Sequence, residues 1–111
     1  MWIIKYVLFF ILFCTCKKNP LNTLPTCIQN KITDFEKWTK ESRPYSITEY
    51  LYKNNTAYYI RTSCCDQYNP VYNSNCDYLG APDGGFTGKG DGKLTDFFAT
   101  ATNKKVVWEN K

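Results

Sequence analysis

The fold is decided by residues 45–65, YSITEYLYKNNTAYYIRTSCC. Ile47, Glu49 and Leu51 alternate with Thr48, Tyr50 and Tyr52, a period of two that is typical of a strand, and residues 57–62 are rich in types that favour strands. Between them, Asn54-Asn55 is predicted to form a two-residue turn, because asparagine tolerates the positive φ that such turns need. The stretch therefore predicts an antiparallel β-hairpin.

The predicted hairpin has two faces, since successive side chains of a strand point to opposite sides. With the turn at Asn54-Asn55, Leu51 lies opposite Tyr58. The first face is predicted to carry Ile47, Leu51, Tyr58, Ile60 and Cys64. The second face is predicted to carry Tyr50, Tyr52, Tyr59, Arg61 and Cys65. The tyrosines of the second face are interpreted either as a platform for a ligand or as cross-strand packing.

A helix is predicted before the hairpin. Thr26 and Gln29 have the spacing of a capping box, in which both side chains satisfy free N–H groups of the first turn. Apolar residues then recur at helical spacing until residues 42–44, Ser-Arg-Pro, end the helix. These apolar residues are Ile28, Ile32, Phe35 and Trp38. Residues 96–99 are predicted to make a helical turn or join the core, and residues 106–108 to add a last strand.

Residues 26–111 are therefore predicted to form a single small α+β domain, with one N-terminal helix packed on a small antiparallel sheet and a long Gly-rich loop. The apolar run before it is too short to span a bilayer, which needs roughly 20 residues. Residues 1–15 are predicted to be a signal peptide of lipoprotein type, because Cys16 resembles the acylated cysteine of bacterial lipoproteins. Residues 16–25 are predicted to be a tether. Ordinary signal cleavage is the alternative.

This interpretation places the protein in the cell envelope, as a lipoprotein of the outer or inner membrane that faces the periplasm or the exterior. Four cysteines then remain for two disulfides: Cys27, Cys64, Cys65 and Cys76. A bridge between the adjacent Cys64 and Cys65 would strain the peptide, so each is expected to have a distant partner. The two faces of the hairpin favour the pairs Cys27–Cys64 and Cys65–Cys76, with the swapped pairing as the alternative.

Residues 66–93 are rich in Asn, Asp, Gly and Pro and show no clear period, which predicts a long loop that carries the function. The candidate binding residues in it are Asp66, Asp83, Gly84, Gly85, Gly88, Gly90, Asp91 and Gly92. One interpretation is a partner-binding loop, and another is a rigid Ω-like loop whose aspartates cap local N–H groups. A calcium site is the alternative function, with Asp83, Asp91 and Asp96 as candidate ligands.

The composition argues against several classes of function. The chain has no histidine, which excludes Ser/His/Asp and Cys/His catalysis, and no other catalytic constellation is recognisable, so we predict a non-enzyme without a cofactor. An acid or base role for Asp66, Asp83 or Asp91 is the least favoured hypothesis. The formal net charge is +4, and the basic residues are scattered, which argues against nucleic-acid binding.

Several segments form a combined pattern: Tyr58-Tyr59, Cys64-Cys65-Asp66-Gln67, Pro82-Asp83-Gly84-Gly85, Gly88-Lys89-Gly90-Asp91-Gly92, Asp96-Phe97 and Val107-Trp108. From Cys27 onward the chain resembles a family of small, uncharacterised lipoprotein domains from Bacteroidota-type bacteria. The resemblance implies an exported single domain. Family members often carry cysteines near the positions of Gly80 and Leu94, which this chain lacks. We therefore expect a lipid-anchored envelope module that binds an envelope protein or a glycan through residues 66–93.

Overall fold

A five-stranded antiparallel sheet is the main element of the computed structural model, which describes residues 23–64 and 66–111. Its strands are β1 (Ser46–Tyr52), β2 (Asn55–Arg61), β3 (Tyr68–Asn73), β4 (Tyr78–Gly84) and β5 (Thr102–Glu109). They lie in the order β4-β3-β2-β1-β5, so β4 and β5 are the edges. The helices are α1 (Thr26–Glu36), α2 (Phe97–Thr100) and a 3₁₀ turn (Lys40–Ser42).

The predicted α+β class is wrong, because the fold is mainly β. The described residues form five strands but only one helix of 11 residues and one of 4. The predicted long loop is also wrong, since residues 66–93 contain β3 and β4. The alternating pattern of these two strands could not be recognised in the sequence, because prolines interrupt it and the pairing shifts register twice. Pro70 lies at one of these shifts, between Asn69 and Val71, where a missing N–H is tolerated.

The β1–β2 hairpin turns one residue earlier than predicted. Lys53 and Asn54 occupy the turn with φ of 50° and 67°, and Leu51 lies opposite Thr56 instead of Tyr58. This register places Ile47 opposite Ile60 in one buried cluster. Moving the turn by one residue shifts the pairing by two, so the two predicted faces of the hairpin keep their residues.

Both faces of the sheet are buried. On the first face, apolar residues of α1 and of the hairpin share one cluster, formed by Leu24, Ile28, Ile32, Ile47, Tyr58 and Ile60. On the second face, the segment after β4 covers the tyrosines, and the cluster comprises Tyr52, Ala57, Tyr59, Val71, Leu94 and Phe97. The prediction of a tyrosine platform is therefore wrong for Tyr52 and Tyr59, which are buried.

Helix α1 begins at Thr26, as predicted, but without a capping box. Pro25 is the N-cap residue and no side chain caps the first turn, while the Gln29 side chain donates to the Leu24 carbonyl at 2.7 Å. The helix ends at Glu36, before the predicted stop at residues 42–44, and the Arg43 side chain donates to the Glu36 carbonyl at 3.0 Å.

The predicted disulfide pairs are wrong. Cys27, in the first turn of α1, is bonded to Cys76, with their Cα atoms 6.0 Å apart. Cys76 lies in the turn between β3 and β4, so folding of this unpredicted hairpin brings it to the start of α1. Cys64 also forms a disulfide, whose partner lies outside the described residues.

The predicted signal peptide at 1–15 and the lipidated Cys16 lie outside the described residues, as does most of the predicted tether. Within 23–64 and 66–111, no helix has the length and apolar character needed to cross a membrane.

Replacement of Cys27 and Cys76 by alanine should destabilise the domain. The bridge joins residues 49 positions apart, and closing such a loop in the unfolded chain corresponds to about 4 kcal/mol. Urea unfolding at 25 °C measures the loss, and non-reducing peptide mapping provides the control on connectivity. A peptide that joins Cys27 to Cys64 would contradict the structure.

Candidate functional site

The Gly-rich segment folds back on the edge of the sheet. Gly90 donates to the Gly84 carbonyl, and Asp91 to the Ala81 carbonyl, each at 3.0 Å. Gly90 has φ +79°, and a Cβ there would lie 2.0 Å from the Ala81 oxygen. Gly88 has the same φ, but a Cβ would meet nothing within 4 Å. Gly90 therefore permits contact with β4, which explains one glycine of the predicted loop by packing and not by a ligand.

Asp91, a predicted calcium ligand, binds groups of its own chain. Its carboxylate accepts hydrogen bonds from the Tyr78 hydroxyl, from the Ala81 N–H at 3.1 Å and from the Lys93 N–H at 3.0 Å. These bonds, the Tyr78 bond first, lower the pKa of Asp91 to about 2. Burial and then the bond to Asp91 raise the pKa of Tyr78 to about 12.

The other two predicted ligands are also held by tyrosines. Asp83 accepts from the Tyr59 hydroxyl at 2.9 and 3.0 Å, and Asp96 accepts from the Tyr52 hydroxyl at 2.7 Å. Burial first, and then the bond to Asp83, raise the pKa of Tyr59. In the described part of the chain, no group of three His, Cys, Asp or Glu residues could hold a metal. The three carboxylates therefore hold parts of the chain together, and within the described residues they do not form a group that could hold a metal.

One end of the sheet carries exposed aromatic side chains, and we call it the aromatic end. It is the end where β2 finishes, β3 begins and β4 finishes. Its exposed aromatic residues are Trp38 (47%), Tyr45 (49%), Tyr68 (50%) and Phe86 (90%). Tyr68 lies on Gly85, where an added Cβ would be 2.5 Å from its ring, and Phe86 is at the tip of the turn that follows β4.

Two clefts open at the aromatic end, on either side of residues 62–67. The polar cleft, of about 360 Å³, is lined by residues that include Tyr45, Arg61, Asp66, Gln67 and Asn69. The aromatic cleft, of about 190 Å³, is lined by residues that include Phe35, Trp38, Pro44, Pro70 and Tyr72. Both clefts are also lined by Thr62, Ser63 and Gln67, which makes them neighbours.

A third cleft, of about 390 Å³, lies at the opposite end of the sheet, beside the β1–β2 turn. It is lined mainly by polar residues of the turns, and none of the exposed aromatic side chains of the aromatic end contributes to it. The aromatic end is thus the better candidate, because exposed aromatic surface is typical of binding sites.

A family model described as a domain of unknown function matches residues 33–110, well over half of the chain. The chain belongs to this family, DUF6970. No curated protein and no solved structure matches the chain. The family match begins inside α1, so the Cys27–Cys76 bridge of this DUF6970 domain has only one of its cysteines within the matched residues.

The structure divides the predicted binding residues between two places. Asp66, Gly84 and Gly85 lie at the aromatic end, while Gly88, Gly90, Asp91 and Gly92 belong to the segment that follows β4. The exposed aromatic residues were missed: Trp38 was assigned to the buried stripe of the helix. Their position in the sequence could have indicated them, since each lies within two residues of the end of a strand or helix. Trp38, Tyr45 and Phe86 are also next to a lysine, a proline and a glycine, respectively.

The Tyr78–Asp91 bond predicts a specific acid response. Since the pKa of Asp91 is lowered in the folded state, its contribution to stability is present above about pH 4 and is lost as the pH falls towards 2. In Tyr78→Phe the pKa of Asp91 should rise towards its usual 3.8, as measured by NMR titration of the carboxyl carbons.

The matched control is Tyr68→Phe, because the Tyr68 hydroxyl donates to no side chain in the described residues. It should leave the titration of Asp91 unchanged. An Asp91 that titrates identically in the wild type and in Tyr78→Phe would contradict the assigned bond.

Proposed function

We propose that this protein is an exported, lipid-anchored binding module of the cell envelope, without catalytic activity, and that it binds through the aromatic end. The observation that carries the proposal is the concentration of exposed aromatic surface there. Trp38, Tyr45, Tyr68 and Phe86 are all about half exposed or more. Leaving such surface in water forgoes about 25 cal/mol per Å² that burial would supply. Apolar surface that stays exposed at one end of a fold is typical of a binding site.

The position of the aromatic end relative to the predicted anchor supports this role. The described chain enters α1 beside the Cys27–Cys76 bridge, at the opposite end of the sheet. The 11 residues of α1 then run towards the aromatic end over about 16 Å, at about 1.5 Å per residue. The described chain therefore enters the fold at the end of the sheet opposite the aromatic end.

The chemistry of the side chains supports a non-enzymatic role. The chain has no histidine, and Asp83, Asp91 and Asp96 each accept a hydrogen bond from a tyrosine. A carboxylate that is held in this way stabilises the fold and is poorly suited to accept a proton from a substrate. Binding of a calcium ion by these aspartates is not proposed, since the same bonds occupy them.

Membrane anchoring is tested at Cys16. The full-length protein, expressed in a bacterial host that is fed an alkyne fatty acid, should carry the label and partition with the membranes. Cys16→Ser should lose the label, whereas Cys14→Ser should keep it, because the acylated residue follows Thr15. A wild-type protein without label would leave ordinary secretion as the route of export.

Binding is tested by cross-linking of the full-length protein to envelope extracts. The double variant Trp38→Ala/Phe86→Ala should capture its partner at least about tenfold less than the wild type, since truncation of a binding hot spot costs about 2 kcal/mol or more and about 1.4 kcal/mol is tenfold. The matched control is Leu51→Ala/Val106→Ala, which removes exposed apolar side chains away from the aromatic end. Equal capture by both double variants, with unchanged melting temperatures, would count against the proposal.

A further inference from the structure

The polar cleft contains charged and amide side chains that form no hydrogen bond with the other described residues. Arg61, Asp66 and Gln67 line the cleft and are exposed, and their side chains make no hydrogen bond or ion pair within the described residues. The guanidinium group of Arg61 lies over the ring of Tyr45, 5.1 Å from its centre. The cleft thus offers a free cation, a free anion and a free amide to a ligand.

The wall behind these free groups is fixed by hydrogen bonds. The Asn69 side-chain oxygen accepts from the Thr62 N–H at 2.8 Å and from the Thr62 hydroxyl at 2.7 Å. The Asn69 side-chain nitrogen donates to Asp83 at 2.9 Å, and Asp83 in turn accepts from the buried Tyr59. The wall of the cleft is therefore connected to the core, which pre-organises it before a ligand arrives.

One aromatic ring lines the cleft, that of Tyr45. One side of this ring is covered by Arg61, and about half of Tyr45 remains exposed, so the ring offers surface to a ligand. Tyr68 lies at the same end of the sheet, against Gly85, but does not line the cleft. A flat ring beside donors and acceptors suits a ligand that has both an apolar face and many hydroxyl groups.

We infer that the aromatic end binds an oligosaccharide. This inference rests on the proposed function and names its ligand class. The C–H face of a pyranose ring packs on an aromatic ring, and its hydroxyl groups both donate and accept. Asp66 can accept from neighbouring hydroxyl groups, while Arg61 and Gln67 can donate to their oxygens. At about 360 Å³ the cleft lies within the usual range of ligand sites, about 300–1,000 Å³.

The two clefts together favour a chain of sugars over a single one. Thr62, Ser63 and Gln67 line both clefts, so a ligand in the polar cleft can continue into the aromatic cleft without leaving the surface. There, the half-exposed Trp38 supplies another ring on which a sugar can pack.

Charge argues against an anionic ligand. A phosphate or a nucleic acid needs several cations that converge on it. The polar cleft instead contains one cation, Arg61, and one anion, Asp66. A neutral or weakly charged polyhydroxylated ligand fits this balance.

The full-length protein should be tested on an array of immobilised oligosaccharides that comprises gluco-, manno-, xylo-, chito- and galacturono-oligosaccharides. Each sugar that binds is then titrated by calorimetry. Asp66→Asn should weaken binding about tenfold, since a charged hydrogen bond is replaced by a neutral one. Asparagine also tolerates the φ of +68° at this position, so the loop should keep its conformation. Tyr45→Ala should weaken binding by a similar factor.

Leu51→Ala is the control and should bind as the wild type does. Binding that survives both Asp66→Asn and Tyr45→Ala would overturn the assigned site. Binding of no sugar, while Trp38→Ala/Phe86→Ala still loses its cross-linked partner, would overturn the oligosaccharide and leave a protein partner at the same end. If these variants keep both sugar binding and cross-linking to a partner, the proposed function is overturned as well.

Discussion

Hydrogen bonds between tyrosine hydroxyls and aspartate carboxylates hold the end of β4 and the segment after it on the sheet. Three such bonds join the sheet to the segment that follows its fourth strand or to the end of that strand. They are Tyr59–Asp83, Tyr78–Asp91 and Tyr52–Asp96. A bond to an ionised acceptor is roughly twice as strong as a neutral one, and each buried hydroxyl needs a partner. The same bonds therefore satisfy the buried hydroxyls of Tyr52 and Tyr59 and position a segment with little regular structure.

These bonds allow a small sheet to bury both of its faces. The segment after β4 brings Phe97 against the rings of Tyr50, Tyr52 and Tyr59, with ring centres 5.0, 4.9 and 6.4 Å apart. Without that cover, three tyrosines would face water on the side opposite α1. The aspartates are consequently part of the fold, and their spacing in the sequence reflects the strands they reach and not the geometry of an ion.

The parts of the fold that depend on local pattern could be predicted from the sequence. The period of two predicted the hairpin and its two faces, and residues 106–108 were predicted to add the last strand. The start of α1 was placed at Thr26 from a capping box that the structure does not form. The pairing of β3 with β4 could not be predicted, because Pro70 and Gly80 interrupt the pattern and the register shifts twice. The wrong disulfide prediction followed from the missed β3–β4 hairpin, since Cys76 reaches Cys27 only when this hairpin forms.

The candidate site, too, could be predicted only in part from the sequence. Asp66 was predicted from its place in a segment without period, but the aromatic residues around it come from four separate parts of the chain, and only the topology of the sheet collects them at one end. A chain of hydrogen bonds then runs from the buried Tyr59 through Asp83 and Asn69 to Thr62, at the wall of the polar cleft. Because this wall is already ordered by the core, a ligand that binds there orders only the exposed side chains of Arg61 and its neighbours. Asp83, which first suggested an ion site, thus belongs to the hydrogen bonds that order the wall of the cleft, and in the proposed function it would act without touching the ligand.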